Sequence, residues 1–213
     1  MGWNKQGDIE VTTDDAYQSA HSLKVFVTAG KTENYRSISM NPSALGTGHW
    51  GRVYYKVQAP VPAYFAHDTF VAFTGNGPDA AFKNENVRVV DTVHNADATH
   101  QFLYNVQPSG NEFGKGSPYP YTFKDGGWHC AEWHIDNPTQ SYHFYYDGAE
   151  VTSIAIDNGP GKYQGSEIPA AFSKLTLGVA QYQSPPNGFT QQPMWFTAWF
   201  DDLALDSSRI GCN

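Results

Sequence analysis

The chain has 213 residues, of which 16% are charged and 15% are aromatic, and it carries a net charge of −8. This acidic balance argues against nucleic acid as a general partner, although a few local cations could still hold an anionic substrate in a cleft. No apolar run approaches the ~20 residues of a membrane-spanning helix and no signal peptide begins the chain, so we expect no membrane partner. The length of the chain favours a single domain over residues 1–213.

The pattern along the chain indicates strands separated by turns. Short segments rich in β-branched and aromatic residues alternate with glycine, proline and polar turn residues. The predicted strands are, in chain order, residues 9–13, 22–28, 35–40, 49–58, 64–73, 86–91, 99–107, 128–135, 141–146, 149–156, 173–183 and 195–205.

The connections between the strands also carry information. Asp147-Gly148 predicts a two-residue hairpin, and residues 108–127, with five glycines and three prolines, predict a long loop. The one segment without strand character that suggests a helical turn is residues 169–172. Many short strands at regular spacing predict an all-β fold, an antiparallel β-sandwich of jelly-roll (concanavalin A-like) type.

The last predicted strand, residues 195–205, is largely apolar on both of its alternating faces. Such a strand is expected near the middle of a sheet, where both faces are covered. Asp201 and Asp202 follow where the strand leaves the core, either as a solvated exit or at the position of a structural cation.

The two cysteines, Cys130 and Cys212, both lie beside predicted strands. They form no C-x-x-C pair and no zinc-type spacing, so either two buried thiols or one long-range disulfide fits the sequence. The composition, poor in lysine and rich in tyrosine, asparagine and glycine, is typical of extracellular proteins and favours the disulfide.

Several polar side chains fall inside predicted strands. His67 begins one face of its strand, and Asn86 and Arg88 share a face of another. His100 and Gln101 lie on opposite faces of a third strand. A single buried histidine is more often a hydrogen-bonded structural residue than a catalytic one. Arg88 is harder to explain in that way, because a charged residue in mid-strand needs a partner or water.

Tyr182 occurs in a strand with an unusual set of neighbours on its own face. These are Thr176, Gly178 and Ala180, all small. Three small side chains beside one tyrosine leave room for a ligand, although a hydrogen-bonded structural tyrosine is the more common case.

Other classes of site find less support. His134 and His143 lie in one predicted hairpin and could approach each other, but no third ligand has the spacing of a transition-metal site. The chain has no G-x-S-x-G elbow and no phosphate-binding glycine loop before a helix. No pair of facing carboxylates of the glycosidase kind stands out either.

Two stretches of the C-terminal half resemble a known family. The segments GGWHCAEWHIDNPTQSYHFYYDG and WFDDLALDSSRIGC are similar to those of the fungal cellulose-induced secreted proteins, which themselves resemble the glucuronan lyases of polysaccharide lyase family 20. The resemblance extends over most of the chain, with gaps. It implies a secreted β-jelly roll whose concave sheet binds a polysaccharide, and we expect the protein to be a monomer.

The resemblance also implies catalytic residues. AHDTFVAF places His67 at the family's active-site histidine, NVRVVD places Arg88 at its cleft arginine, and LGVAQYQ places Tyr182 at its catalytic tyrosine. The family's glutamine falls beside an insertion at residues 91–98, so the candidate for that role is Gln101 or His100. Substrate contacts are predicted at Asn86, His100, His143 and Tyr145.

Two structural features follow from the same resemblance. It pairs Cys130 with Cys212 in a disulfide. It also places a structural calcium ion at Asp201, with backbone carbonyls of the turn that contains Gln18 and His21. The family's other side-chain ligand, a glutamate, would precede Met1.

The implied residues fit one reaction, the β-elimination of a uronic acid. Removal of the C5 proton requires donors that mask the adjacent carboxylate, here Arg88 with Gln101. His67 then accepts the proton and Tyr182 protonates the leaving oxygen, or the two exchange roles. No organic cofactor is required. The alternative is a non-catalytic carbohydrate-binding module, because the same fold serves both functions.

Overall fold

The computed structural model describes residues 3–26, 28, 35–42, 45, 48–61, 63–76, 83–114, 116, 118–182 and 196–212, except for the side chain of Tyr182. These residues form two antiparallel β-sheets of eight strands each, packed face to face. The predicted all-β antiparallel sandwich is therefore confirmed. No helix that could cross a lipid bilayer occurs in the described part of the chain.

Sixteen strands build the two sheets. The first eight are β1 (Asn4–Gln6), β2 (Ile9–Thr12), β3 (Ser22–Val25), β4 (Tyr35–Met40), β5 (Gly48–Val57), β6 (Ala66–Asn76), β7 (Glu85–His94) and β8 (Thr99–Gln107). The others are β9 (Glu112–Phe113), β10 (Tyr121–Thr122), β11 (Trp128–Asp136), β12 (Ser141–Tyr146), β13 (Ala149–Glu150), β14 (Ile156–Asp157), β15 (Ala171–Tyr182) and β16 (Ala198–Asp206).

The strand order places the long strands at the centre of each sheet. The first sheet is ordered β1-β4-β15-β6-β7-β8-β10, with β9 paired to β8. The second sheet is ordered β13-β12-β11-β5-β16-β3-β2, with β14 paired to β12. Because side chains alternate between the two faces of a strand, each sheet has an inner face toward the core and an outward face.

Apolar side chains of both inner faces meet in one core. Val71, Phe73 and Val87 of the first sheet and Trp133 and Phe144 of the second are fully buried. Burial of a large apolar side chain stabilises a fold by roughly 1.5–3 kcal/mol. The core therefore holds the first sheet rigid behind the side chains of its outward face.

The closing strand lies where the sequence predicts it. β16 pairs with β5 on one side and β3 on the other, in the interior of the second sheet. Phe196, Ala198 and Phe200 on one face are almost fully buried. On the other face, Trp199 is partly covered by the ammonium of Lys56, 5.9 Å from the ring centroid. Trp195, in the predicted range, lies outside the described residues.

The segment after β16 is fastened to the second sheet by the predicted disulfide, which the structure confirms between Cys130 and Cys212. Glu132, which is fully buried, accepts a hydrogen bond from the backbone N–H of Gly211 at 2.6 Å and another from Arg209 Nε at 3.0 Å. These contacts define a C-terminal clasp, consisting of Glu132, Arg209, Gly211 and the disulfide.

The predicted hairpin at Asp147-Gly148 is confirmed, with φ angles of +48° and +83° at the two turn residues. The strand predicted over residues 149–156 is instead broken by a short 3₁₀ turn at Thr152–Ile154. Residues three apart face the same way in a 3₁₀ turn, so Val151 and Ile154 both reach the core. Period-two alternation alone does not reveal this break.

Other differences lie in the connections. The predicted loop 108–127 contains β9 and β10, and the segment 169–172 continues into β15 without a helical turn. The strand predicted to end at residue 91 continues to His94, because Thr92 and His94 are fully buried beside Asp68. Gln183, the last residue of the predicted strand 173–183, lies outside the described residues.

Candidate functional site

The outward face of the first sheet carries a groove of about 380 Å³. Thr176, Gly178 and Ala180 of β15 and Ala72 of β6 line it, and these small side chains leave the space above the sheet open. Gly178 has a φ of +148°, and a Cβ atom there would lie 2.2 Å from the Arg36 carbonyl oxygen. Only glycine fits this close approach of β15 to β4 without a backbone shift.

The groove is positively charged although the whole chain is acidic. Arg88 and Lys174 line it with their charged side chains on the outward face, and none of the described lining residues is an aspartate or a glutamate. The net charge of the chain is −8. A local field of the opposite sign, concentrated in a concave site, favours an anionic ligand.

Arg88 lies on β7 near one side of the groove. Its Nε donates a hydrogen bond to Asn86 Oδ1 at 3.2 Å, and Asn86 Nδ2 is 3.5 Å from Thr74 Oγ1. Asn105 stands directly opposite Arg88 on β8 and is 1% exposed. The structure thus brings Arg88 and Asn86 together as predicted from sequence, and it adds Asn105 as a second amide beside them.

His67 lies on the same outward face, two residues before the groove-lining Thr69 on β6. Its Nε2 is 2.6 Å from Asp91 Oδ2, and Thr69 Oγ1 donates to Asp91 Oδ1 at 2.5 Å. Asp91 is fully buried, and His67 is 8% exposed. A carboxylate accepts only from a ring nitrogen that carries hydrogen, so Nδ1 is the acceptor nitrogen of the neutral ring.

Asp91 was not identified from the sequence. It ends a predicted strand, and an acid at a strand end is ordinarily a solvated exit. The register of β6 and β7 places Asp91 opposite Thr69 and diagonal to His67, within reach of a long side chain. The sequence feature that could have identified Asp91 is the apolar run around it, because a carboxylate buried inside such a run requires a partner.

Tyr182 and Gln101 lie in the same cross-strand row as His67. The backbone of Tyr182 pairs with that of His67, which pairs with Val93, which in turn pairs with Gln101. Gln101 is therefore two strands from His67, roughly 10 Å at ordinary strand spacing. The side chain of Tyr182 lies outside what the structure describes.

Gln101 belongs to a different part of the surface from Arg88. It lines a second cavity of about 370 Å³ with Pro118 and Pro120. It is also four residues along β8 from Asn105, the residue opposite Arg88. The structure does not bring Gln101 beside the arginine, and the amide that contacts Arg88 is that of Asn86.

His100 is on the inner face of the first sheet and does not reach the groove. It is fully buried and its ring stacks on Phe123 with the ring centroids 3.9 Å apart. Burial lowers the pKa of His100 well below its ordinary value, so the ring is neutral. The expected contact of His100 with substrate is therefore corrected, because pleating turns this side chain into the core.

His143 and Tyr145 lie on β12 of the second sheet, and their neighbour Phe144 points into the core. Their side chains are thus on the opposite side of the sandwich from the groove. His143 contacts Glu150 at 2.7 Å and Asp157 at 3.1 Å. Burial lowers the pKa of His143, but the two carboxylates outweigh burial and raise it. His143 and Tyr145, where substrate contacts were predicted, therefore do not line the groove of the first sheet.

A buried polar network lies directly behind the row that contains His67. Asp68 accepts a hydrogen bond from Gln181 Nε2 at 2.7 Å and lies 2.6 Å from His94 Nδ1. Gln181 Nε2 is also 2.7 Å from the hydroxyl oxygen of Tyr64. All of these except Tyr64 are fully buried. The network crosses β15, β6 and β7, and so it fixes the three strands that carry the row.

Asp201 lies against the turn that was predicted to accompany it. Tyr17 N–H donates to Asp201 Oδ2 at 2.9 Å, and Ser19 Oγ is 3.3 Å from both carboxylate oxygens. Ser19 Oγ also lies 2.5 Å from the His21 carbonyl oxygen. One hydroxyl proton cannot serve three acceptor oxygens. Oxygen atoms of the carboxylate, the hydroxyl and the carbonyl group thus converge at this turn.

No protein-family model matches the chain, and no curated protein matches its sequence. Among solved structures, a cellulose induced protein, Cip1, is similar with 17% identity and a TM-score of 0.66 over 98% of this chain and 89% of that one. The binding domain of a botulinum neurotoxin of serotype D/C is also similar, with 9% identity and a TM-score of 0.53. The match covers 98% of this chain and 44% of the binding-domain chain. These likenesses show a shared fold, the jelly-roll sandwich that the sequence predicts.

Proposed function

We propose that the protein is a secreted polysaccharide lyase that cleaves a uronate-containing polysaccharide by β-elimination in the groove of the first sheet. The observation that carries the proposal is the buried pair of His67 and Asp91 at the end of a groove lined by Arg88. Binding alone does not use a histidine oriented by a carboxylate, whereas such a histidine is suited to proton transfer. The disulfide supports an extracellular location.

The reaction begins with the carboxylate of a uronic acid beside Arg88. The guanidinium, with the amide of Asn86 beside it, offsets the charge that develops on this carboxylate. His67 Nδ1 takes the proton from C5, the electron pair forms the C4–C5 double bond, and the C4–O bond to the next sugar breaks. Asp91 holds the ring so that Nδ1 is the accepting atom.

The leaving oxygen must gain a proton as the C4–O bond breaks. Tyr182 is the proposed donor, because its backbone lies opposite His67 and its phenol carries an exchangeable proton. If Tyr182 instead accepts the C5 proton and His67 protonates the leaving oxygen, the products are the same. No organic cofactor enters either sequence of steps.

The alternative function is a non-catalytic carbohydrate-binding module. The position of Gln101 favours it, since the amide that the resemblance assigns to carboxylate masking lies in another cavity. A module would keep the groove and its positive charge but would release no product. The two functions differ in one measurable property, the appearance of a double bond.

Incubation with polyglucuronate and other polyuronates should produce unsaturated uronate. The ultraviolet absorbance of the conjugated double bond in this product measures its formation. Tyr182→Phe removes only a hydroxyl and is expected to lower this rate by about 10²–10⁴-fold while most of the binding remains. Binding to a polyuronate without absorbance on any polymer would establish the binding module instead.

We also propose that a structural calcium ion is held at the turn before β3 by Asp201, Ser19 and the carbonyl oxygens of Gln18 and His21. Removal of calcium by EDTA should lower the melting temperature, and calcium at 100 times its Kd should restore about 2.7 kcal/mol. Asp201→Asn should abolish this calcium dependence. A wild-type melting temperature that responds to neither EDTA nor calcium contradicts the site.

A further inference from the structure

Lys174 lines the groove at the end far from His67. It is exposed, it lies on β15, and its backbone pairs with Thr74, which pairs with Asn86. Within the described residues its ammonium forms neither a hydrogen bond nor an ion pair. This lysine is a cation that faces the ligand space of an acidic protein, and nothing in the proposed reaction uses it.

The register of the first sheet sets the order of charged groups along the groove. His67 and Thr74 are seven residues apart on β6, which at about 3.3 Å per residue is ~23 Å of strand. Arg88 stands opposite Ala72, between these two positions. The order is therefore His67, then Arg88, then Lys174. A ligand that meets all three is longer than a single sugar.

Arg88 and Lys174 occupy different positions along the groove. Their backbones are separated by two strand spacings across the sheet and by two residues along it, on the order of 12 Å in all. Lysine carries a compact, hydrated charge on a flexible stem, so it accepts an anionic group in any geometry. Two cations at this separation match two charged groups on different sugars of one chain.

We propose that Lys174 forms a second anion subsite. It binds a carboxylate or sulfate group on a sugar beyond the one whose carboxylate Arg88 holds. The inference rests on the proposed function, and it specifies the substrate class as a polymer with negative charges on more than one sugar.

The test compares Lys174→Gln with Lys162→Gln. Both variants lose one positive charge, but Lys162 is an exposed loop residue outside the groove. Calorimetric Kd values are measured for polyglucuronate, a sulfated glucan and a neutral glucan at two salt concentrations. Lys174→Gln should weaken polyglucuronate binding two- to fivefold, the effect of one exposed ion pair, and reduce its salt dependence. Lys162→Gln should do neither, and Lys174→Arg should bind like the wild type.

The outcomes separate the subsite from the proposed function. If the wild type binds polyglucuronate and Lys174→Gln binds both polyglucuronate and the sulfated glucan as well as the wild type does, the subsite is refuted and the proposed function stands. If the wild type binds no anionic polymer, both are refuted. A loss confined to the sulfated glucan supports the subsite and identifies its ligand as sulfate, whereas an equal loss with the neutral glucan refutes charge recognition.

Discussion

Replacement of Asp91 by asparagine should leave polyuronate binding intact and slow cleavage by at least ~100-fold. The Asp91 carboxylate accepts the Nε2 hydrogen of His67. An asparagine amide can turn its NH₂ group toward Nε2, and the ring then carries its hydrogen on Nδ1, where it cannot accept another proton. The rate of unsaturated uronate formation and the calorimetric Kd measure the two halves of this expectation.

Two further variants control this experiment. His67→Ala removes the proton acceptor and sets the lowest rate that the groove can give. Thr69→Val removes the other donor to Asp91 at nearly constant volume and leaves the pair of His67 and Asp91 in place. It should retain most of the activity. An Asp91→Asn protein that melts normally and cleaves within threefold of wild type would show that the ring tautomer is not fixed by Asp91.

The strand pattern and the turns could be predicted from the sequence because they depend on local chemistry. Alternation of apolar and polar residues marks strands, and the left-handed φ angles at Asp147 and Gly148 suit the residues found there. The closing strand was placed in the interior of a sheet because both its faces are apolar. Such features need no knowledge of which strands pair.

The sequence indicated ligand space beside Thr176, Gly178 and Ala180, which line the groove. The rest of the groove could not be predicted because it depends on pairing and register. Alternation shows that His100 and Gln101 point to opposite faces, but it does not show which face is the core. It also places His143 and Tyr145 on one side of a strand without assigning that strand to a sheet. The family resemblance supplied His67 and Arg88, and the structure brings both to the outward face of the first sheet.

Residues that support a site are the hardest to find from sequence. Asp91 is 24 residues from His67, and only the pairing of β6 with β7 brings the two together. Lys174 looks like any exposed lysine until the shape of the groove is known. Long-range geometry therefore decides which polar residues act together, whereas the residue types alone give a list of candidates.

Loss of the disulfide should greatly lower the free energy of unfolding. Cys130 and Cys212 are separated by 82 residues, and in the chain-entropy model a loop of that size stabilises the fold by about 4.5 kcal/mol. A Cys130→Ser, Cys212→Ser double variant should therefore unfold at a much lower urea concentration. The free energy of unfolding from equilibrium urea titration measures this effect.

The C-terminal clasp makes it possible to tell where that stability is lost. If the disulfide acts on the unfolded chain, the native segment stays docked through Glu132, and the Gly211 amide remains protected from hydrogen exchange in the double variant. Glu132→Gln is the matched control, because it weakens the hydrogen bonds to Arg209 and Gly211 while the disulfide remains. In Glu132→Gln the Gly211 amide should exchange faster than in the double cysteine variant. The free energy of unfolding should nevertheless fall by less than it does in that variant. If the Gly211 amide of the double variant exchanges freely, the disulfide instead holds the native segment in place. If the stability of the double variant falls by under ~1 kcal/mol, the disulfide contributes little to the fold.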